Sequence, residues 1–281
     1  MAHQYVNRII NLGSSSEGNS FYIELQPEDE KQFNLLIECG FDYNTILKKF
    51  IKNKIDVTDI DAILVSHLHK DHSASVKHFI DRGYEVYAPQ SVYDLYHTKG
   101  NVVLPYNSVM ISKGINIIPL PMEHYDVNQK VENYGFIINI QSKYYILFVI
   151  DTKYIPQDLS NYQFDIIFIE SNYIEDSIKH ALYDAEKKQD KGKIKRYERL
   201  YNSHFSLENV ARTIDGSINK DAKPFDLSKT TNLFLMHLSS NRQTNDRYYE
   251  LFLKNFIDAT RDITHAKPNI MVKAMKKDGG F

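Results

Sequence analysis

Residues 66–72 read Ser66-His67-Leu68-His69-Lys70-Asp71-His72, an H-x-H-x-D-H cluster placed directly after the apolar run Ile63-Leu64-Val65. The apolar run reads as a buried strand, so the cluster stands at a strand exit. His67 and His69, at i and i+2, project to one side of an extended chain. Asp71 and His72 follow so closely that the chain must curl around whatever they bind. His67, His69, Asp71 and His72 offer neutral nitrogens and an oxyanion, a donor set that suits a borderline or hard divalent cation. A histidine-rich polar loop without function would need the residue types least useful for packing to gather at one strand exit by chance.

The chain has 281 residues, enough for one large α/β domain with a sizeable core. Short apolar runs recur between turns and helical patterns, among them Val6–Leu12, Phe21–Leu25, Phe33–Glu38, Ala62–Val65, Ile115–Leu120, Gly135–Ile140, Tyr144–Ile150, Asp165–Ile169 and Thr231–Met236. Tyr43, Ile46, Leu47, Phe50 and Ile51 follow helical spacing, as do Tyr249, Phe252, Leu253, Phe256 and Ile257; both stripes are expected to face a core. A further helix is expected to start near Ser73 and bury Val76, Phe79 and Ile80, with Asp71 and His72 at its entrance. No Pro- or Gly-rich linker divides the chain, so a single domain over 1–281 is expected, with a polar helical excursion around 175–203.

With a net charge of −2, the overall field offers no strong pull on a polyanion, and any nucleic-acid contact must be local. The concentrated basic stretch runs from Lys187 to Arg199 and reads either as a solvated helix face or as a phosphate-tracking surface. The single cysteine, Cys39, excludes an intrachain disulfide and is expected to be a small buried residue. No apolar run is long enough to span a membrane and the N-terminus lacks a leader pattern, so a cytoplasmic protein with no membrane partner is expected.

Further candidate ligands follow later strands: His124 after Ile115–Leu120, Asp151 after Tyr144–Ile150, and His237 after Leu233–Met236. Loops at one end of a sheet are where α/β scaffolds hold reactive groups. Taken with the Ser-rich segment Gly13-Ser14-Ser15-Ser16-Glu17-Gly18-Asn19-Ser20, read as a turn, and with Leu35-Leu36-Ile37-Glu38-Cys39-Gly40, the chain resembles the metallo-β-lactamase-fold superfamily over nearly its whole length. The resemblance implies a four-layer αββα sandwich with a binuclear metal site. By that resemblance His67, His69 and His124 would hold one metal, Asp71, His72 and His237 the other, and Asp151 would bridge them. The narrower likeness is to the compact bacterial WalJ-like (YycJ-type) exonuclease branch, carried by Asn133-Tyr134-Gly135-Phe136, Ile169-Glu170-Ser171-Asn172-Tyr173, Ser203-His204-Phe205-Ser206 and His237-Leu238-Ser239. Glu38 departs from it, standing where the family usually has Asp.

The chemistry expected of such ligands is hydrolysis by a water acidified between two divalent cations, zinc first and manganese or iron as alternatives. The candidate catalytic residues are Asp71 and His204, the latter placed to protonate a leaving oxygen; the competing reading makes His204 a helix-entry residue beside the cap Ser206-Leu207-Glu208-Asn209. The leading expectation is a phosphodiesterase or nuclease with nucleic acid as substrate. A small-substrate hydrolase acting on a cyclic nucleotide, lactone or thioester keeps the same metals. A catalytically silent metal-bound interaction protein is the third reading, disfavoured because no ligand has been lost. His3, His78, His97, His180 and His265 are expected at the surface or in packing.

Overall fold

A computed structural model describes residues 4–126, 129–239 and 246–280. His3 lies outside the described residues. The chain forms two compact units, the first from 1–121, 132–145 and 275–281, the second from 122–131 and 146–274.

The strands of the first sheet are β1 Val6–Ser15, β2 Gly18–Leu25, β3 Phe33–Ile37, β4 Ala62–Leu64, β5 Val86–Ala88 and β6 Asn101–Val102. They lie in chain order; β1, β2 and β3 are antiparallel and β3 to β6 parallel. Successive residues of β3 and β4 are buried on both faces of the sheet, as Leu35, Leu36, Ile37, Ile63 and Leu64 show, which is why these strands read as unbroken apolar runs. Helices α1 Tyr43–Lys52, α2 Lys70–Ser73, α3 Val76–Ile80 and α4 Gln90–Tyr96 supply Ile46, Phe50, Val76, Phe79 and Val92 to the core that also holds Leu36 and Ile63. Burial of a side chain such as Phe50 or Phe79 contributes about 1.5–3 kcal/mol.

The second sheet runs β13-β12-β11-β10-β9-β8-β7, formed by β7 Val109–Ser112, β8 Ile115–Asp126, β9 Gln129–Ile140, β10 Tyr144–Val149, β11 Ile166–Glu170, β12 Asn232–Met236 and β13 Met271–Ala274. In the second unit β10 to β13 are parallel, with Phe148, Phe168 and Phe234 in register at one level. Helices α5 Glu175–Lys187, α6 Lys191–Ser203, α7 Leu207–Ile214, α8 Asp246–Ala259 and α9 Arg261–Thr264 complete this unit. The polar segment around 175–203 is thus the helix pair α5 and α6.

Several local expectations change. The Ser-rich segment is not a long turn: Ser14 pairs with Asn19 and Ser15 with Gly18, leaving only Ser16 and Glu17 to turn the hairpin. Strand pairing here overrides the weak strand preference of Ser and Gly. Asp71 and His72 lie inside α2 rather than before a helix, because the His69 carbonyl already accepts from the His72 and Ser73 amides at 2.9 and 3.0 Å. Strand β8 runs through His124 instead of ending before it. On α1, Ile46 and Phe50 are buried while Ile51, at the edge of the stripe and in the last turn, is 76% exposed. In the first unit Asn11 Nδ2 donates to the carbonyls of Lys276 and Gly280 at 2.9 and 2.8 Å, pinning the returning 275–280 segment to β1.

Candidate metal centre

The first donor cluster is built at the exits of β3 and β4. Ser66 directly follows Val65 and is held on three sides: its amide donates to Glu38 Oε1 at 3.1 Å, its carbonyl accepts from the Tyr134 amide at 3.0 Å, and its hydroxyl lies 2.9 Å from His67 Nδ1. That last contact fixes the ring of His67, whose Nε2 lies 3.0 Å from His69 Nδ1. The α2 turn then brings His72 back against His67, with ring centroids 4.2 Å apart. His72 Nδ1 faces Glu38 Oε2 at 3.5 Å, and its Nε2 faces Asp71 Oδ2 at 3.4 Å. Asn19, from the Ser-rich hairpin, reaches the Asp71 carbonyl at 3.3 Å. So the hairpin supports the segment that carries Asp71 and His72.

Two backbone features make this approach possible. A Cβ on Gly40 would stand 1.7 Å from the Asp71 carbonyl oxygen, so only glycine lets the chain leaving β3 pass α2 this closely. Glu38 adopts φ 62°, a left-handed conformation that costs a non-glycine residue roughly 1–2 kcal/mol and turns its carboxylate toward Ser66 and His72. Burial holds the Glu38 carboxyl above its usual range, with His72 and Ser66 opposing that shift.

The second cluster lies at the exits of β10, β11 and β12. Asp151 and His237 each follow their strand in left-handed conformation, both at φ 51°. The geometry of His237 is locked by Asn172, whose Nδ2 donates to the His237 carbonyl at 2.8 Å while its own carbonyl accepts from the Ser239 amide at 2.9 Å. His237 Nδ1 lies 2.7 Å from Asp151 Oδ1 and 2.9 Å from Glu170 Oε1. His204 Nδ1 lies 2.6 Å from the same Glu170 oxygen, and the other Glu170 oxygen accepts from the Thr152 and Phe205 amides at 3.1 and 3.3 Å. His124 joins from β8, its Nε2 3.8 Å from Asp151 Oδ2 and its Nδ1 3.4 Å from the Ser203 carbonyl. Burial raises the Glu170 carboxyl, but the His204 imidazole and the hydrogen bonds from both histidines outweigh it, leaving the group below the ordinary glutamate value. Glu170 is therefore a carboxylate, and the facing Nδ1 atoms donate to it.

Asp151, Glu170, His204 and His237 each offer a donor atom within 4.8 Å of the others. All four are at most 5% exposed. Gathering two carboxylates in a buried site is unfavourable unless cations neutralise them, and imidazole with carboxylate is the donor chemistry of zinc and related divalent ions. The residues fit such an ion.

The structure thus brings together His67, His69, Asp71 and His72 in the first unit, and His124, Asp151, His204 and His237 in the second. Glu170 was missed as a functional residue; its signal was an acid at the end of the apolar strand Ile166-Ile167-Phe168-Ile169. The short segments at 169–173 and 203–206 are physically one site, joined by the Asn172 amide to the Phe205 carbonyl at 2.9 Å and a parallel bridge between Tyr173 and Ser206. The Ser206 cap also forms, its hydroxyl accepting from the Asn209 amide at 2.9 Å, so the cap and the placement of His204 coexist. Cys39 is buried and burial pushes its thiol up, away from reactivity. His78, His97, His180 and His265 are exposed.

A family model described as the Beta-lactamase superfamily domain matches residues 33–217. The transcription termination factor FttA of Methanosarcina mazei is 27% identical over 150 residues, covering 47% of this chain. The match spans only 24% of the length of that relative. Among solved structures, the metallo-β-lactamase fold protein YhfI from Bacillus subtilis superposes with TM-score 0.59 at 16% identity, covering 97% of this chain and 96% of that one. Human tRNase Z, short form, gives TM-score 0.56 at 14% identity, covering 97% and 98%. Zn(2+)-bound PqqB from Methylobacterium extorquens gives 0.60 at 10% identity, covering 96% and 97%. At these identities the likeness carries the fold, which is the α/β arrangement of two sheets and flanking helices expected from the sequence. Among the described residues no helix is long and apolar enough to cross a membrane.

Proposed function

The chain belongs to the metallo-β-lactamase superfamily, and from that premise we propose that it is a binuclear metal-dependent phosphodiesterase acting on nucleic acid. In this reading His67, His69 and His124 would hold one ion and Asp71, His72 and His237 the other, with Asp151 contributing its carboxylate to both, and with zinc as the first expectation and manganese or iron as alternatives. When bound, such ions supply Lewis acidity: they acidify water near neutral pH and offset negative charge developing on a phosphodiester.

The observation that carries the proposal is the Glu170–His204 contact at 2.6 Å beside Asp151 and His237. With Glu170 ionised, His204 Nδ1 must carry a proton, which leaves Nε2 as the nitrogen that delivers or receives one. Glu170 fixes the ring through Nδ1, while the Thr152 and Phe205 amides hold Glu170 itself. His204 thereby protonates the leaving oxygen of a phosphodiester. The hydrogen bond that His237 Nδ1 donates to Glu170 orients a proposed metal ligand, so one carboxylate sets both a proton donor and a ligand. The assignment to the WalJ-like exonuclease branch is supported by the way segments 169–173, 203–206 and 237–239 converge on this site. Nucleic acid as substrate is consistent with the tRNase and transcription-termination names among the similar proteins.

The test is elemental analysis of the purified protein, then cleavage of end-labelled single- and double-stranded DNA and RNA after each metal is restored to the chelated protein. The expected result is near two divalent ions per chain and metal-dependent cleavage of at least one nucleic acid. Stoichiometric metal with cleavage of none would leave the small-substrate hydrolase as the better reading.

A further inference from the structure

Helix α6 ends on the second donor cluster. Its last residue, Ser203, turns its carbonyl to His124 Nδ1 at 3.4 Å, and the next residue, His204, meets Glu170. Along the helix, Ile194, Tyr197, Leu200 and Tyr201 are the partly buried positions and share one side at 100° per residue. Lys191, Lys195 and Arg199, at i, i+4 and i+8, share the opposite side and are exposed. Glu198, the only acid within the helix, lies at the flank of that side rather than within the row, and Lys193 is drawn off to Asp190 at 3.3 Å.

Several cations of the chain are matched with acids, among them Lys77 with Asp81, Lys143 with Glu28, Lys223 with Asp158 and Arg261 with Asp258. Among the described residues Lys191, Lys195 and Arg199 make no such pair. Like charges at i, i+4 destabilise a helix by about 0.2–0.5 kcal/mol per pair, so the row works against the stability of α6 in a chain whose net charge is −2. Lys153, two residues beyond Asp151, lies 4.8 Å over the Tyr201 ring and adds a cation where the helix reaches the site. At 1.5 Å per residue the row is about 12 Å long, matching about three to four nucleotides of one stacked strand. A row one charge wide follows one backbone, not the two of a duplex.

We infer that this face of α6 is a rail for the phosphate backbone of a single-stranded polynucleotide, leading it to His204. The inference rests on the nuclease reading for its substrate class and extends it to how that substrate is held. The phosphodiester backbone is the chemistry recognised, and RNA and DNA are its two sources.

The test compares Lys191→Gln/Lys195→Gln/Arg199→Gln with a charge-matched control, Lys31→Gln/Lys48→Gln/Lys52→Gln, whose exposed lysines lie in the first unit. Binding of fluorescent RNA and DNA strands of about 20 nucleotides is followed by anisotropy in the cold over a range of salt, with circular dichroism as the check on folding. The α6 variant is expected to lose about tenfold or more in affinity and to flatten the log–log salt slope by about 2, at roughly 0.7 per lost phosphate contact on a single strand; the control keeps both. A wild-type protein that binds neither strand, or an α6 variant indistinguishable from the control, overturns the rail. Binding that depends on α6 without metal-dependent cleavage would sink the nuclease reading while sustaining the rail; cleavage with binding indifferent to α6 does the opposite. RNA and DNA arms that differ identify the source.

Discussion

Glu170 and His204 are 34 residues apart in the chain, and in the folded protein a carboxylate oxygen of the first sits 2.6 Å from Nδ1 of the second. That same oxygen lies 2.9 Å from Nδ1 of His237. One buried glutamate therefore governs two imidazoles with different proposed tasks, and changing it should damage both at once.

Glu170→Gln keeps the size of the side chain but turns an acceptor-only group into one that must present an amide somewhere in the cluster. The expected outcome is metal affinity weakened by about 10- to 100-fold together with a fall in turnover that excess metal does not restore. Competition with a fluorescent chelator, alongside turnover at saturating metal, separates the two effects; full recovery on adding metal would confine Glu170 to ligand support.

His204→Ala should retain its metal and lose rate by about 10²–10⁴-fold on natural phosphodiesters, with the smallest loss on an activated aryl phosphodiester, whose leaving group needs no proton. Elemental analysis and turnover on the two ester classes decide it. Loss of bound metal would instead make His204 a ligand, a role its place among the donor atoms of Asp151, Glu170 and His237 also allows.

Gly40→Ala places a methyl group against the Asp71 carbonyl, where the contact is with backbone and has no flexible side chain to yield. Destabilisation of about 1–3 kcal/mol is expected, with metal binding lost at the Asp71 and His72 end before the fold is lost. Denaturant unfolding, run with and without metal, measures both; wild-type stability would mean the Asp71 carbonyl moves away freely.

Acid sensitivity should come in part from Glu175. Burial works to raise its carboxyl, and hydrogen bonds from Arg212 and Ser206 outweigh this and hold it below the usual glutamate range. A group lowered in the folded state contributes stability that is complete above the unfolded value, about 4.3, and disappears as pH falls through the folded value. Glu175→Gln should therefore be less stable than wild type at neutral pH, with the gap closing below about pH 4.3. Thermal melts across that interval test it, and a gap that stays constant with pH would remove ionisation as the cause.

The candidate donor residues were legible because imidazoles and carboxylates at the ends of apolar strands serve no packing purpose, as at His67, Asp151 and His237. What was hidden was non-local. Glu170 looks like any acid ending a strand until Thr152, His204, Phe205 and His237 converge on it, and nothing in local spacing reports contacts across 18 to 67 residues. The same holds for the hairpin at 13–20, where Ser and Gly read as turn residues and only the pairing of β1 with β2 makes them strand. The left-handed conformations of Glu38, Asp151 and His237 were equally silent, since nothing in a single sequence distinguishes a strained strand exit from a relaxed one.

The tether between Asn11 and the carbonyls of Lys276 and Gly280 gives the protein a timetable. The first unit contains both the opening strands and the segment at 275–280, so on the ribosome its last stitch is added only after every residue of the second unit has been synthesised. During elongation β1 must wait with the backbone partners of Asn11 still absent. A nascent chain stalled before residue 275 should therefore hold a complete second unit beside a first unit that still frays at β1, and protease should find that strand first.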